Sequence, residues 1–350
     1  MHILALVPEL PKRKSLLMAG VPLLLALAGL LCLPWGFAGA ALAAEPDREP
    51  PGGKLFSAAV ISGERAIVVG ERGKILVTGD GGDSWAGIGS GTQKALFSVC
   101  FPDEKHGWIA GQAGLILHSA DGGRSWAAQA AGMAGDLTSV DFADAESGIA
   151  VGTDATVLTT ADAGKTWLRS QIGLISDTGE EFAFFAVVML DRKRACAAGD
   201  GGRIFLSGDA GRTWTETESP LYDPETMTGR VLYDLAADSG TLHAVGIDAA
   251  YVFSRDQGRT WTEGRTGLQG PELYCVDFVD GFGMAAGSGG VVVQSRDGGS
   301  TWVTMQVPDR VTRGWLSGMD LRKDGSGRVQ GLIVGQNGAV GRLRNGALEW

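Results

Sequence analysis

The chain has 350 residues, of which 44% are hydrophobic and 20% charged, with a formal net charge of −10. An acidic balance argues against a nucleic-acid or anionic-membrane surface, either of which needs clustered Lys and Arg. Four cysteines without a CxxC spacing and four histidines without ligand spacing point away from a disulfide framework and from a metal site.

The first 44 residues read as an address. Lys12, Arg13 and Lys14 precede an uncharged apolar run from Leu16 to Ala44, which ends in Ala41-Leu42-Ala43. Basic, apolar and small-residue regions in that order form a secretory signal peptide with an A-x-A cleavage site. The run is also long enough to span a bilayer, so an uncleaved anchor is the alternative. Leu31 stands where a lipoprotein acceptor at Cys32 would need a small residue. The expected compartment is therefore periplasmic or secreted, with tethering to the inner membrane if the segment stays. Residues 45–53 (EPDREPPGG) form a Pro-rich linker, and 54–350 form the folded domain.

That domain is built on one repeat. Ser119-Ala-Asp121-Gly-Gly123-Arg-Ser125-Trp126 recurs in six copies, anchored on Asp80 and Trp85, Asp121 and Trp126, Asp162 and Trp167, Asp209 and Trp214, Asp256 and Trp261, and Asp297 and Trp302. The intervals between these tryptophans are 41, 41, 47, 47 and 41 residues, a period that marks one supersecondary unit repeated in an array. In the unit at 96–130, Leu96–Phe101 reads as a strand, Pro102–Gly107 as a polar turn, and Trp108–Gly111 as a second strand. Leu115–His118 is a third strand and Ser125–Ala128 a fourth. Lone His118 is read as a satisfied strand residue. Four short strands with glycine-rich turns, repeated, make a β-propeller blade.

A second ruler fixes the number of blades. Gly70, Gly111, Gly152, Gly199, Gly246 and Gly287 each stand 15 residues before a box Trp, and Gly335 stands 15 before Trp350. The fold expected is all-β, a seven-bladed β-propeller of four-stranded blades with a box hairpin in each of the first six. In the seventh the box has worn away to its Trp. Its outer strand then falls beyond residue 350, to be supplied by 45–53 or left short. The box itself reads as structural, with Asp accepting turn amides, Gly supplying the backbone conformation and Trp packing over the hairpin. Boxes on separate blades cannot converge into a catalytic or metal centre.

The pattern Ser/Thr-x-Asp-x-Gly-x-Ser/Thr-Trp resembles the Asp-box, or bacterial neuraminidase repeat. The fuller blades 111–126 and 199–214 resemble those of the photosystem II stability/assembly factor family. The resemblance implies a seven-bladed, non-catalytic propeller outside the cytoplasm that holds a membrane or envelope protein client. Such a propeller needs no cofactor, no nucleic acid and no second copy. It also implies an arginine-bearing binding surface, for which Arg72 and Arg203 are the counterparts here, with solvated loop charges as the plain alternative. The two 47-residue intervals add length near 168–183 and 215–230. There Ile172, Leu174, Ile175, Tyr222 and Arg230, ringed by Glu180, Glu181, Glu216 and Glu218, suit a protein partner, with tolerated loop drift as the plain alternative. The different-class alternative is a carbohydrate-active enzyme or lectin of the sialidase-like propeller type. Tyr222, Tyr233, Tyr251 and Tyr274 lack a sialidase context, and no pair of carboxylates is singled out for glycoside hydrolysis.

Overall fold

The computed structural model describes residues 52–170, 172 and 182–350. The leader, the linker up to residue 51, and Leu174, Ile175, Glu180 and Glu181 of the first long connection lie outside them. The described chain forms seven four-stranded antiparallel sheets, each paired in chain order. Their first strands are Leu55–Ser62, Leu96–Cys100, Leu137–Phe142, Phe184–Met189, Leu232–Asp238, Leu273–Val279 and Leu316–Lys323. These strands surround a central channel. The result is a seven-bladed β-propeller.

Alternation within the strands explains the packing. Second strands such as Gly107–Gly111 and Ala195–Gly199 are buried along their whole length, because each lies mid-sheet with a neighbouring blade over both faces. Apolar residues accordingly gather into seven clusters, one between each pair of adjacent blades. One joins Ile67, Val69 and Ile75 of the first blade to Leu96, Phe101 and Ile109 of the second. The last joins Leu55, Val60 and Val68 of the first blade to Leu332 and Val334 of the seventh.

The glycine ruler has a steric cause. At all seven positions a Cβ would fall 1.8–2.3 Å from the carbonyl oxygen just before the first strand, as at Gly111 against Ala95. The residue after each glycine donates its N–H to that same oxygen at 2.9–3.0 Å, as Gln112 does to Ala95 and Ser288 to Glu272. Backbone therefore crosses backbone at the start of every blade, and only hydrogen fits between.

Blade 7 corrects the sequence reading. Its outer strand is Ala347–Glu349, paired with Val340–Arg344, and neither residues beyond 350 nor the linker is needed. The box has been replaced by the two-residue turn Asn345-Gly346, with φ of 51° and 77°, the left-handed pair that closes a tight hairpin. That shortening moves the strand ahead of Trp350, which packs against the cluster between blades 6 and 7. Blades 1 and 7 are thus both continuous segments, and the ring closes without exchanging a strand. Across this seam Val60 N–H donates to Asp320 at 2.5 Å, Gly338 N–H donates to the Gly53 carbonyl at 2.6 Å, and Arg344 donates to the carbonyls of Asp80 and Gly81.

Two smaller differences follow from local packing. In the second blade the outer strand begins at Ala127, because Ser125 and Trp126 belong to the box turn. His118 is not satisfied: its Nε2 is buried without a partner, and the ring is instead stacked on Trp108 at 4.6 Å.

Candidate partner-binding face and central channel

First strands enter the channel at the face that carries the glycine crossings, the loops between second and third strands, and the connections between blades. They leave at the face that carries the boxes, where Gly81 and Gly122 N–H groups donate to Glu64 and Lys105 carbonyls of the neighbouring turns.

In each of the six boxes the carboxylate is enclosed by its own turn. Ser119 Oγ donates to Asp121 at 2.8 Å and accepts the buried Gly123 N–H at 2.8 Å, while Ser125 donates to the other Asp121 oxygen at 2.6 Å. Over the six copies the glycine amide lies 2.7–2.9 Å from the first hydroxyl. Partial burial opposes ionisation of Asp121, but hydrogen bonds from Ser125, Ser119 and Arg124 outweigh it and hold the carboxyl down at about 2. The box tryptophans line the blade-to-blade clusters, and the indole N–H groups of Trp214, Trp261 and Trp302 donate to the carbonyls of Gly211, Gly258 and Gly299. The box glycine also abuts the preceding blade, since a Cβ on Gly123 would fall 2.1 Å from Ile67 Cδ1.

The channel encloses about 330 Å³, and its charged lining consists of Asp141, Asp234, Asp277, Asp320 and Arg322. The four acids lace neighbouring blades together. Asp141 accepts Phe142 N–H and, across the blade boundary, Met189 N–H at 2.7 Å. Asp277 does the same with Phe278 and Leu321, and Asp234 with Leu235 and Val276. Ser57, Ser98 and Ser139 serve the early blades, each accepting an amide of the next first strand at 3.3 Å. These contacts satisfy donors on strand edges that face the channel, which a closed ring leaves without a ladder partner. Burial pushes Asp141 up to about 6 and Asp234 up to about 7, against the lowering effect of their amide donors. Burial also raises Asp277 and Asp320. Arg322 pairs with Asp320 at 3.1 Å and donates to the Phe101 carbonyl at 3.0 Å.

Above the acids sits a ring of seven residues, five of them aromatic. Each first strand carries an irregularity after its opening residue, and the residue at that step lines the channel. It is Phe56, Phe97, Thr138, Phe185, Tyr233, Tyr274 and Ser317 in blade order, all half-buried. Adjacent rings touch: Phe56 and Phe97 at 5.7 Å, Phe185 and Tyr233 at 5.7 Å, Tyr233 and Tyr274 at 5.3 Å.

The residues expected at the partner face fall into two groups. Arg72 is exposed at φ 56° in its loop and has no ion-pair or hydrogen-bond partner among the described residues. Arg203 is held: its guanidinium forms a two-pronged pair with Glu216 at 2.7 Å and lies 5.2–5.6 Å from the ring centres of Phe182, Phe205 and Tyr222. Hydrogen bonding to Glu216 raises its already high pKa further. The 215–230 stretch opens with the outer strand Thr215–Thr217 and then folds into a small hairpin, Tyr222–Asp223 paired with Thr228–Gly229. Leu221 anchors it in the cluster between blades 4 and 5, and Arg230 pairs with Glu263. Arg203 and Tyr222 thus meet, Arg230 closes the base of the same hairpin with its N–H donating to the Leu221 carbonyl at 3.2 Å, and Arg72 lies on the first blade. Of the first insertion, Ile172 packs against the cluster between blades 3 and 4.

Sequence reasoning passed over the channel acids and the aromatic ring. A signal existed, since Phe56, Phe97, Thr138 and Phe185 stand 14 residues before their ruler glycines and Tyr233 and Tyr274 stand 13 before. Cys196 and Cys275 are buried, and neither they nor Cys100 is disulfide-bonded.

Fold, channel and hairpins together define a seven-bladed β-propeller of four-stranded blades. Residues 54–131 and 131–224 each match the family model described as photosynthesis system II assembly factor YCF48. Over those two stretches, just under half of its length, the chain carries the repeat of that family in tandem. No curated protein sequence matches it. Among solved structures, YCF48 bound to D1 peptide is 19% identical with a TM-score of 0.64, covering 87% of this chain and 99% of that one. YCF48 from Cyanidioschyzon merolae is likewise 19% identical with a TM-score of 0.64, over 85% and 97% of the two chains. A GH74 xyloglucanase from Xanthomonas campestris is 16% identical with a TM-score of 0.64, over 84% of this chain and 52% of that one. At these identities the likeness is one of fold.

Proposed function

We propose that the protein is an exported, non-catalytic scaffold that binds a membrane or envelope protein client through the loop-bearing face, as a single propeller without cofactor or nucleic acid. The reading includes cleavage of the leader after residue 43, with retention as an inner-membrane tether the alternative. The observation that carries it is the pairing of a loop-rich face on a rigid ring with a channel whose carboxylates already serve the backbone. Asp141, Asp234 and Asp277 each accept an amide on both oxygens, so among the channel's four acids no pair is left free to act as acid and base. One structural neighbour carries a bound D1 peptide, which supports a peptide-binding role for this propeller.

On this reading Arg72 and Tyr222 are contact residues, while Arg203 and Arg230 fix the posture of the hairpin that presents Tyr222. The test is crosslinking and affinity capture of the exported protein from its own envelope. A specific partner lost on Arg72→Glu or on removal of residues 223–228 locates the surface. Turnover of xyloglucan or a fluorogenic glycoside, abolished by Asp141→Asn, would sink the scaffold in favour of an enzyme.

A further inference from the structure

The channel mouth has a chemistry of its own. Tyr233 and Tyr274 lie 5.3 Å apart with their planes inclined at 58°, and Phe185 meets Tyr233 at 62°, so three half-buried rings offer an angled apolar wall. Acidic residues stand around it: Asp200 and Asp248 on the loops of blades 4 and 5, and Glu272 just before the Tyr274 strand. Burial first, then the charge of Glu272, raises the pKa of both tyrosines, with Asp200 and Asp248 adding to Tyr233. The Glu272 N–H donates to Ser288 Oγ at 3.0 Å, and its carboxylate has no hydrogen-bond or ion-pair partner among the described residues. Deeper in, four carboxylates face one guanidinium, that of Arg322. Two cations of the loop-bearing face on these blades, Arg203 and Arg230, are already committed to Glu216 and Glu263.

We propose that this sector of the mouth is a cation-recognition site, in which Phe185, Tyr233 and Tyr274 receive an arginine or lysine side chain from an extended segment of a protein partner, opposite Glu272, Asp200 and Asp248. Aromatic faces attract a cation through their quadrupole, and the carboxylates supply the opposing charge. The channel's roughly 330 Å³ lies at the low end of small-ligand clefts, about 300–1,000 Å³. It admits a side chain or a few residues rather than a folded element. Phe56 and Phe97 across the mouth then cover an apolar neighbour on the same segment. The proposal rests on the partner-binding reading and names the chemistry of the segment bound.

The test selects from an array of random octapeptides with the full-length protein, then titrates a selected peptide in solution by fluorescence anisotropy. Arginine or lysine should be enriched, and citrulline in place of the selected arginine should weaken binding at least fivefold. Tyr233→Ala/Tyr274→Ala should weaken it at least tenfold, whereas the corresponding Phe pair retains it. Glu272→Gln should weaken it severalfold and flatten its salt dependence. Enrichment of acidic residues, equal affinity for the citrulline peptide, or unchanged binding by the alanine pair, shown to be folded by its melting transition, overturns the proposal. Binding of a xyloglucan oligosaccharide, abolished by the alanine pair, reassigns the site to glycan. Envelope capture that survives the alanine pair removes this site but leaves the scaffold reading standing.

Discussion

At the scale of single residues, the decisive question is whether a polar group has an alternative partner. His243 is buried, lies 3.6 Å from the Phe278 ring centre, and shares a 2.9 Å hydrogen bond with Tyr251. Burial pulls its pKa down to about 4, with Asp238 opposing and Arg255 assisting. The unfolded chain, titrating near 6.5, then binds more protons than the native one between those values. This contribution to stability is therefore full above pH 6.5 and lost as pH falls toward 4. His243→Phe keeps the stacking and removes the titration. Relative to wild type, the variant should gain about 2 kcal/mol between pH 7 and 4.5 in urea unfolding; a difference independent of pH would refute the assignment. The box shows the same logic without titration. Ser119→Ala orphans the buried Gly123 amide and should cost about 1–3 kcal/mol, whereas Ser125→Ala at the exposed end should cost about 1 kcal/mol or less. Equal costs for the two would argue against this division of labour.

At the scale of elements, blades are held in register by crossings rather than by propensity. Gly111 sits where a methyl group would fall 2.3 Å from the Ala95 carbonyl. Gly111→Ala should therefore destabilise by about 3 kcal/mol, while Gly87→Ala, with open space around it, should stay within about 0.5 kcal/mol. Chemical denaturation of both variants checks the contrast. The hairpin at 222–229 leans on Arg203: Arg203→Met removes the Glu216 pair and the stacking on three rings. It should speed proteolytic cleavage within 222–229 while leaving the melting temperature of the ring nearly unchanged. Identical cleavage rates would show that Leu221 and Arg230 suffice without it. These elements also mark the limit of reading a sequence. The boxes and the glycine ruler were legible because an invariant geometry demands the same residue in every blade. The Asn345-Gly346 turn was not, because a fixed 15-residue count cannot show that a hairpin has been shortened and its strand shifted ahead of Trp350.

At the scale of the whole molecule, seven blades place side chains from distant segments around one axis, and that is what local patterns conceal. Asp141, Asp234, Asp277 and Asp320 do not occupy one repeat position; Asp234 stands two residues after its strand opens, and the others four. Nothing in the linear chain says that they share a channel. The same geometry bears on catalysis. A glycosidase needs one carboxyl to protonate the leaving oxygen and a second, across the substrate, to attack or to activate water. Here the carboxylates of Asp141 and Asp277 span from one blade to the next, each accepting an amide of the following first strand. Turning either oxygen toward a substrate would strand a backbone N–H on an edge that the ring leaves unpaired. Asp141→Asn and Asp277→Asn should therefore act on stability and not on turnover. Wild-type protein should release no reducing sugar from xyloglucan above the level of either variant, while both variants unfold at lower urea. Sugar release by wild type that both variants lose, with their unfolding midpoints unchanged, would make these acids catalytic and the propeller an enzyme.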